Sequence, residues 1–182
     1  MERYTLTGAG RFNIARDQVA PIEAKDGART ARWGQLAPWR GHGGKRGPNV
    51  YVVEAPAVKA KAKRCLVLAD GFYAWRKIGT KRQPYWIHPG HPISFAGLVA
   101  THMDDGVEGF AIVTVPAAGL VAPIGERMPA VVTARWLDGG EPIAVPLDGW
   151  RADAVSAHVN DAAHDDAECV RPLGNPRQGE LF

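Results

Sequence analysis

Within fourteen residues the stretch RCLVLADGFYAWRK, Arg64 to Lys77, sets a thiol (Cys65), a carboxylate (Asp70), three rings (Phe72, Tyr73, Trp75) and three cations. The apolar run Leu66 to Ala69 breaks at Asp70-Gly71 and resumes as alternating aromatics, the pattern of a buried strand, a tight turn and a second strand. Rings and cations placed this way suit a shell around a reacting polar group. At Ala74, where such a group would sit on the second strand, there is only a methyl. Cys65 lies inside the first strand and reads as a small buried apolar residue, not a nucleophile.

Two further groupings contain metal-ligating residue types. His88 and His91 bracket a Pro-Gly turn in HPGHP, which does not place them on one helical face as a metal pair. His158, His164, Asp165, Asp166, Glu168 and Cys169 crowd the C-terminal part with a spacing that matches no zinc or calcium template, and read as a solvated acidic surface. No metal site and no cofactor is expected.

The elements that must position these residues are mostly strands. Candidates are Val19-Ala24, Val50-Glu54, Cys65-Ala69, Tyr73-Ile78, Pro84-His88, Ile93-Val99, Phe110-Val115 and Ala130-Thr133, with helical pieces at Ala57-Arg64, Ala134-Leu137 and Ala152-His158. Closely spaced strands with 21 Gly and 14 Pro predict a mostly β, α+β fold: one domain over residues 1–182 with a curved or barrel-like mixed sheet. RGHGGKRGP, residues 40–48, is expected to be a mobile basic loop, and residues 174–182 a C-terminal tail.

A length of 182 residues, 46% hydrophobic and 23% charged, suffices for one core. The longest apolar run, Phe110 to Leu120, is too short and too interrupted by Pro116 to span a bilayer, and MERYTLT lacks the layout of a secretory signal, so a cytoplasmic location is expected. Cys65 and Cys169 are expected to be reduced thiols. The net charge of +3 conceals an asymmetry. From Arg40 to Arg82 eleven Lys/Arg stand against Glu54 and Asp70, a segment of +9, while the remainder, 11 basic and 17 acidic, is −6. Interleaved with Trp33, Trp39, Tyr51, Tyr73 and Trp75, these cations suit single-stranded nucleic acid; the alternation in VKAKAKR is equally that of a solvated face.

Taken in order, RYTLT, RFNIARDQVAPI, RWG with a following PW, RCLVLADGFYAWRK, KRQPYWIH, ISFAGLV, FAIVTVPAAGLVAPIGERMPAVVT and VRPLGNPRQGEL resemble the SRAP family, the SOS-response-associated peptidases or abasic-site processing proteins. The resemblance runs over nearly the whole chain. It implies a β-rich fold with a cationic cleft for single-stranded DNA. It also implies a terminal cysteine, exposed by removal of Met, whose amine and thiol capture the ring-opened aldehyde of an abasic site as a thiazolidine. The proton-transfer groups so implied are a Glu in a DGFYEW-like block and a His before an Asp-Arg-Met-Pro block, with an Asn that orients the sugar.

This sequence departs from that pattern at each reacting position. Met-Cys-Gly-Arg-Tyr becomes Met1-Glu2-Arg3-Tyr4, the strand Glu is Ala74, and the His is Gly125. Asn49 is matched to the orienting Asn, in an eroded block where Tyr51 replaces an Arg. Arg3, Asn13, Trp33, Trp39, Trp75 and Arg127 remain, residue types that grip phosphate, stack bases or brace a cleft, and Lys45 and Arg46 add charge in the basic loop. Trp86 and Trp136 are assigned to the core. The expected function is single-stranded or abasic-site DNA binding by a monomer, nucleoid-associated, without stable covalent capture. The alternatives are weak imine or lyase chemistry through the Met1 α-amine, and an interaction protein that has lost DNA affinity.

Overall fold

The computed structural model describes residues 6–34, 50–58, 62–101, 108–142 and 147–174. Twelve strands are formed by these residues, in chain order β1 (Leu6–Gly8), β2 (Arg11–Ile14), β3 (Val19–Ala24), β4 (Gly27–Trp33), β5 (Val52–Glu54), β6 (Arg64–Ala69), β7 (Gly71–Ile78), β8 (Lys81–His88), β9 (Ile93–Thr101), β10 (Glu108–Pro116), β11 (Arg127–Pro129) and β12 (Arg151–Ala154). The helical content described consists of short 3-10 turns, among them Gly119–Val121, Ala134–Asp138, Ala157–Asn160 and Ala167–Val170.

Two sheets share one core. The first has the order β12-β8-β7-β1-β2; the second runs β11-β10-β4-β3-β6-β9, with β5 paired to β10 and β9 also paired to β10, which returns the path to its second strand and curves the sheet strongly. Pairing is antiparallel except where β10 meets β4 and β5, so the sheet is mixed. Leu6, Phe72, Ala74 and Ile87 of the first sheet join Ile22, Trp33, Val67, Phe95, Phe110 and Ile112 of the second in one buried cluster. On the outer face of the first sheet a smaller cluster, Tyr73, Val155, Val159 and Cys169, is covered by the C-terminal segment.

The chain passes between the sheets at Asp70-Gly71. β6 belongs to the second sheet and β7 to the first, so this turn is a corner, and the Asp70 amide donates to the Thr7 carbonyl at 2.7 Å to fix it. Gly71 is required by close approach: a Cβ there would lie 2.6 Å from the Ile87 carbonyl oxygen and 2.8 Å from Trp86 Nε1.

The expected strands at Val19–Ala24, Cys65–Ala69, Ile93–Val99 and Phe110–Val115 are present, the last three longer by one to three residues. Three expectations are corrected. Arg64 opens β6 opposite Leu98 and does not end a helix; Arg151–Ala154 pairs with β8 as β12; and the strand near residue 130 lies at Arg127–Pro129, followed by an isolated bridge from Val131 to Phe95. In the first two cases non-local ladder bonds outweigh the local propensity of Ala, Lys and Arg for helix. Residues 40–48 lie outside the described residues, as does nearly all of the C-terminal tail.

Candidate nucleic-acid interface

β7 carries two different surfaces because its side chains alternate between faces. Phe72 and Ala74 point into the shared core, with Ala74 3% exposed and opposite Tyr85 of β8. Tyr73 and Trp75 point outward, where the Tyr73 hydroxyl donates to the Phe12 carbonyl at 2.8 Å and Trp75 Nε1 donates to Asn160 Oδ1 at 2.7 Å. Burial pushes the Tyr73 hydroxyl pKa well up, so it remains a donor.

Gly125 follows the 3-10 turn Gly119–Val121, its amide donating to the Val121 carbonyl at 3.1 Å, and its neighbours Ile124 and Met128 are buried in the main cluster. Neither Ala74 nor Gly125 can transfer a proton through a side chain. Arg127 is drawn onto β10: its Nε donates to Thr114 Oγ1 at 3.1 Å and one terminal nitrogen to the Thr114 carbonyl at 2.8 Å, with Glu54 at 3.7 Å.

Two of the expected contact residues are interior braces. Trp33 is fully buried, stacked on Phe110 with ring centroids 6.2 Å apart, and its Nε1 donates to the Tyr51 carbonyl at 2.8 Å, which leaves no ring face for a base. Tyr51 in turn donates to the Asp17 carboxylate, with the Arg16 guanidinium over its ring. Asn13 is likewise fully buried. Its Nδ2 donates to the carbonyls of Val159, Asp161 and His164 at 2.9 to 3.2 Å, holding the C-terminal segment against β2. Asp165 completes the clamp by accepting the Phe12 and Asn13 amides at 2.7 and 2.9 Å and pairing with Arg11. Burial opposes ionisation of Asp165, but these amides and the guanidinium outweigh it and hold the carboxyl below the usual carboxylate range.

Trp136 is core, as expected; Trp86 is not wholly so. It is only half-buried, stacks on His88 with centroids 3.6 Å apart, and lines a cavity of about 330 Å³. His88, buried at the end of β8, meets Asp153 of β12 at 3.1 Å, whereas His91 is exposed. Cys65 and Cys169 are both free and buried, and burial pushes the Cys65 thiol up to about 12, which removes it as a nucleophile at neutral pH.

The β7–β8 hairpin carries the basic segment outward. Arg76, Lys77, Lys81 and Arg82 are all exposed, and Lys77 stands directly opposite Arg82 on the face that also bears Trp75. Among the described residues no carboxylate pairs with these four cations. Arg64, by contrast, is committed to the fold, stacked 4.0 Å over Trp136 and donating to the Trp136 and Gly140 carbonyls. Lys77 and Arg82 were visible in the sequence only as part of a charge run; their pairing needed the register. Met1, Arg3, Trp39, Lys45, Arg46 and Asn49 lie outside the described residues. No helix among the described residues is long and apolar enough to cross a membrane.

The family model described as SOS response associated peptidase (SRAP) matches residues 3–162. The chain is 30% identical to the abasic site processing protein HMCES of Gallus gallus over 65% of its length and 46% of the relative's, and 30% identical to the abasic site processing protein YedK of Escherichia coli over 60% and 58%. It thus spans about half the length of these relatives. With the abasic site processing protein YoaM of Bacillus subtilis it shares 26% identity over 87% of its own length and 83% of that protein's. A crystal structure of a protein from Bacteroides thetaiotaomicron superposes with a TM-score of 0.65 at 21% identity, covering 86% of this chain and 82% of that one, and one from Bordetella bronchiseptica with 0.65 at 19%, covering 79% and 87%. At these identities the likeness is one of fold.

Proposed function

Since this chain belongs to the SOS response associated peptidase (SRAP) family, we propose that it acts in the DNA-damage response by binding single-stranded DNA, including strands with abasic sites, without stable covalent capture. The relatives named above are abasic site processing proteins, which supplies the class of target. One observation carries the finer reading. β7 has an apolar residue sealed into the core where the family pattern has its strand carboxylate, and on its other face Trp75 and Lys77, with Arg82 of β8 opposite Lys77, bring together a ring and two cations. Without the acid-base groups matched to positions 74 and 125, carbonyl addition and dehydration lose about 10² to 10⁴ in rate for each. Binding does not need them, because phosphate neutralisation and base stacking supply affinity independently of chemistry. Such a protein would work at the nucleoid in the cytoplasm.

Fluorescence anisotropy with intact and abasic single strands tests this. Expected are micromolar or weaker binding that falls steeply with salt, and no band resistant to heat and SDS after incubation with the abasic strand. Absence of binding at about 50 mM salt would remove the DNA reading and leave a protein–protein role for the fold. A resistant band would remove the non-covalent part.

A further inference from the structure

The C-terminal residues with no recognisable spacing are gathered by the fold. We propose that His158, Asp166 and Cys169 bind one divalent cation of the zinc class, with water completing the coordination. The imidazole, the carboxylate and the thiol each offer a donor atom, and these three atoms lie within 4.8 Å of one another. A tetrahedral zinc ion with bonds of about 2.0 to 2.3 Å holds its donors about 3.5 Å apart. His158 Nε2 and Asp166 Oδ2 are already 3.1 Å apart, so closure requires a shift of about 1 Å, mostly in the thiol. Nitrogen, oxygen and sulfur together select a borderline-soft ion over magnesium or calcium, which prefer oxygen alone.

The supports behind the three residues are fixed independently of any ion. Asp166 Oδ1 accepts the Glu168 amide at 2.9 Å, which caps the turn Ala167–Val170 and leaves Oδ2 facing His158. The His164 ring stacks on His158 at 3.8 Å and 5°, setting the imidazole plane, and its Nδ1 meets the His158 carbonyl at 2.9 Å. Cys169 is turned inward toward the His164 carbonyl, 3.5 Å away. Asn13 and Asp165 clamp the segment to β2. Such outer contacts orient metal ligands. The neighbouring acidic groups do not compete: Asp165 is held by Arg11, and Glu168 is paired with Arg171. Asp166 is half-exposed, which leaves an entry path from solvent. Thiolate ligation transfers the Sγ proton to solvent as the metal–sulfur bond forms.

The test uses the full-length, untagged chain with Co²⁺ as an optical probe and Zn²⁺ as competitor. Expected are one equivalent of Co²⁺, a thiolate-to-cobalt charge-transfer absorption, release of one proton and displacement by one equivalent of Zn²⁺, with no competition from Mg²⁺. Cys169→Ser abolishes the absorption and Cys65→Ser leaves it unchanged. Because Cys169 is buried and its variant could unfold, His158→Gln, at a part-exposed position, is the second arm: with its circular dichroism unchanged, its cobalt affinity falls by more than about 100-fold. No thiolate absorption at millimolar cobalt, absorption that survives Cys169→Ser, or affinity unchanged in His158→Gln overturns the proposal.

Discussion

Lys77 and Arg82 face each other across the β7–β8 hairpin, two cations at directly opposed ladder positions on the strand face that bears Trp75. Like charges so placed are destabilising relative to a neutral pair. Two cations beside an indole match the contacts that the proposed DNA binding would use, phosphate neutralisation and base stacking. Two effects of opposite sign should follow from Arg82→Glu. The melting temperature should rise slightly, and affinity for single-stranded DNA should fall. In Lys77→Glu/Arg82→Glu the slope of log K against log salt should flatten by about 1.4, since each phosphate contact on a single strand contributes about 0.7. A slope unchanged in the double variant would place the DNA elsewhere on the surface.

Charge reversal at Lys45 and Arg46, in the glycine-rich stretch outside the described residues, should flatten the same slope further. Additive changes would indicate one strand bridging both regions, measured by the same titration in the quadruple variant.

Ala74→Glu offers a chemical test that also reads the packing. The new carboxylate would enter the core beside Tyr85 with no described cation there to receive it, so overpacking and desolvation should cost about 2–4 kcal/mol. Burial raises the folded pKa of such a group above its unfolded value of about 4.3. The penalty should therefore be smallest in acid and grow as pH rises through that value, which pH-dependent thermal melts of parent and variant would show. A variant as stable as the parent at neutral pH would mean that position 74 still has a polar pocket, and that Ala74→Glu with Gly125→His is worth assaying for adduct formation.

Asp165 gives the opposite pH dependence. Its folded pKa is lowered, so its contribution is fully present above the unfolded value of about 3.9 and is lost as pH falls through the folded one. Asp165→Asn should lose about 1–3 kcal/mol at pH 7, where two backbone amides and Arg11 lose their anionic partner, and should show a shallower acid-unfolding limb. Parallel limbs for parent and variant below pH 5 would show that the clamp on β2 does not depend on charge.

The legible parts of this fold were the strands whose burial pattern matches a simple period. In VAPIEA, Ala20, Ile22 and Ala24 point inward on alternate residues, and RCLVLA and FAIVTV are nearly continuous apolar runs. GARTARW and RADA had no such signature, because their strands exist through pairing with β3 and β10 in one case and β8 in the other. The site divides in the same way. That positions 74 and 125 carry no polar side chain can be read directly from the sequence. The grouping of His158, Asp166 and Cys169 cannot, since it arises when Asn13, more than a hundred residues earlier, ties three carbonyls of that segment to β2.

The terminal amine is the last group to test. An α-amine with a pKa of about 7.7 to 8.0 is partly unprotonated at neutral pH and can attack an aldehyde to form an imine, releasing water. Such an imine needs proton transfer to form and to eliminate the strand, and the positions matched to those groups carry a methyl group and a hydrogen. Exposed Lys77 and Lys81 offer competing amines, so a trapped product alone would not identify the α-amine. Borohydride should be added during incubation with an abasic strand, comparing the native protein with protein acetylated only at its terminus. We expect equal, low trapping from both, the level set by lysines. Trapping that disappears on terminal acetylation, accompanied by strand cleavage in the native sample, would establish a lyase activity through Met1 and displace the binding-only reading.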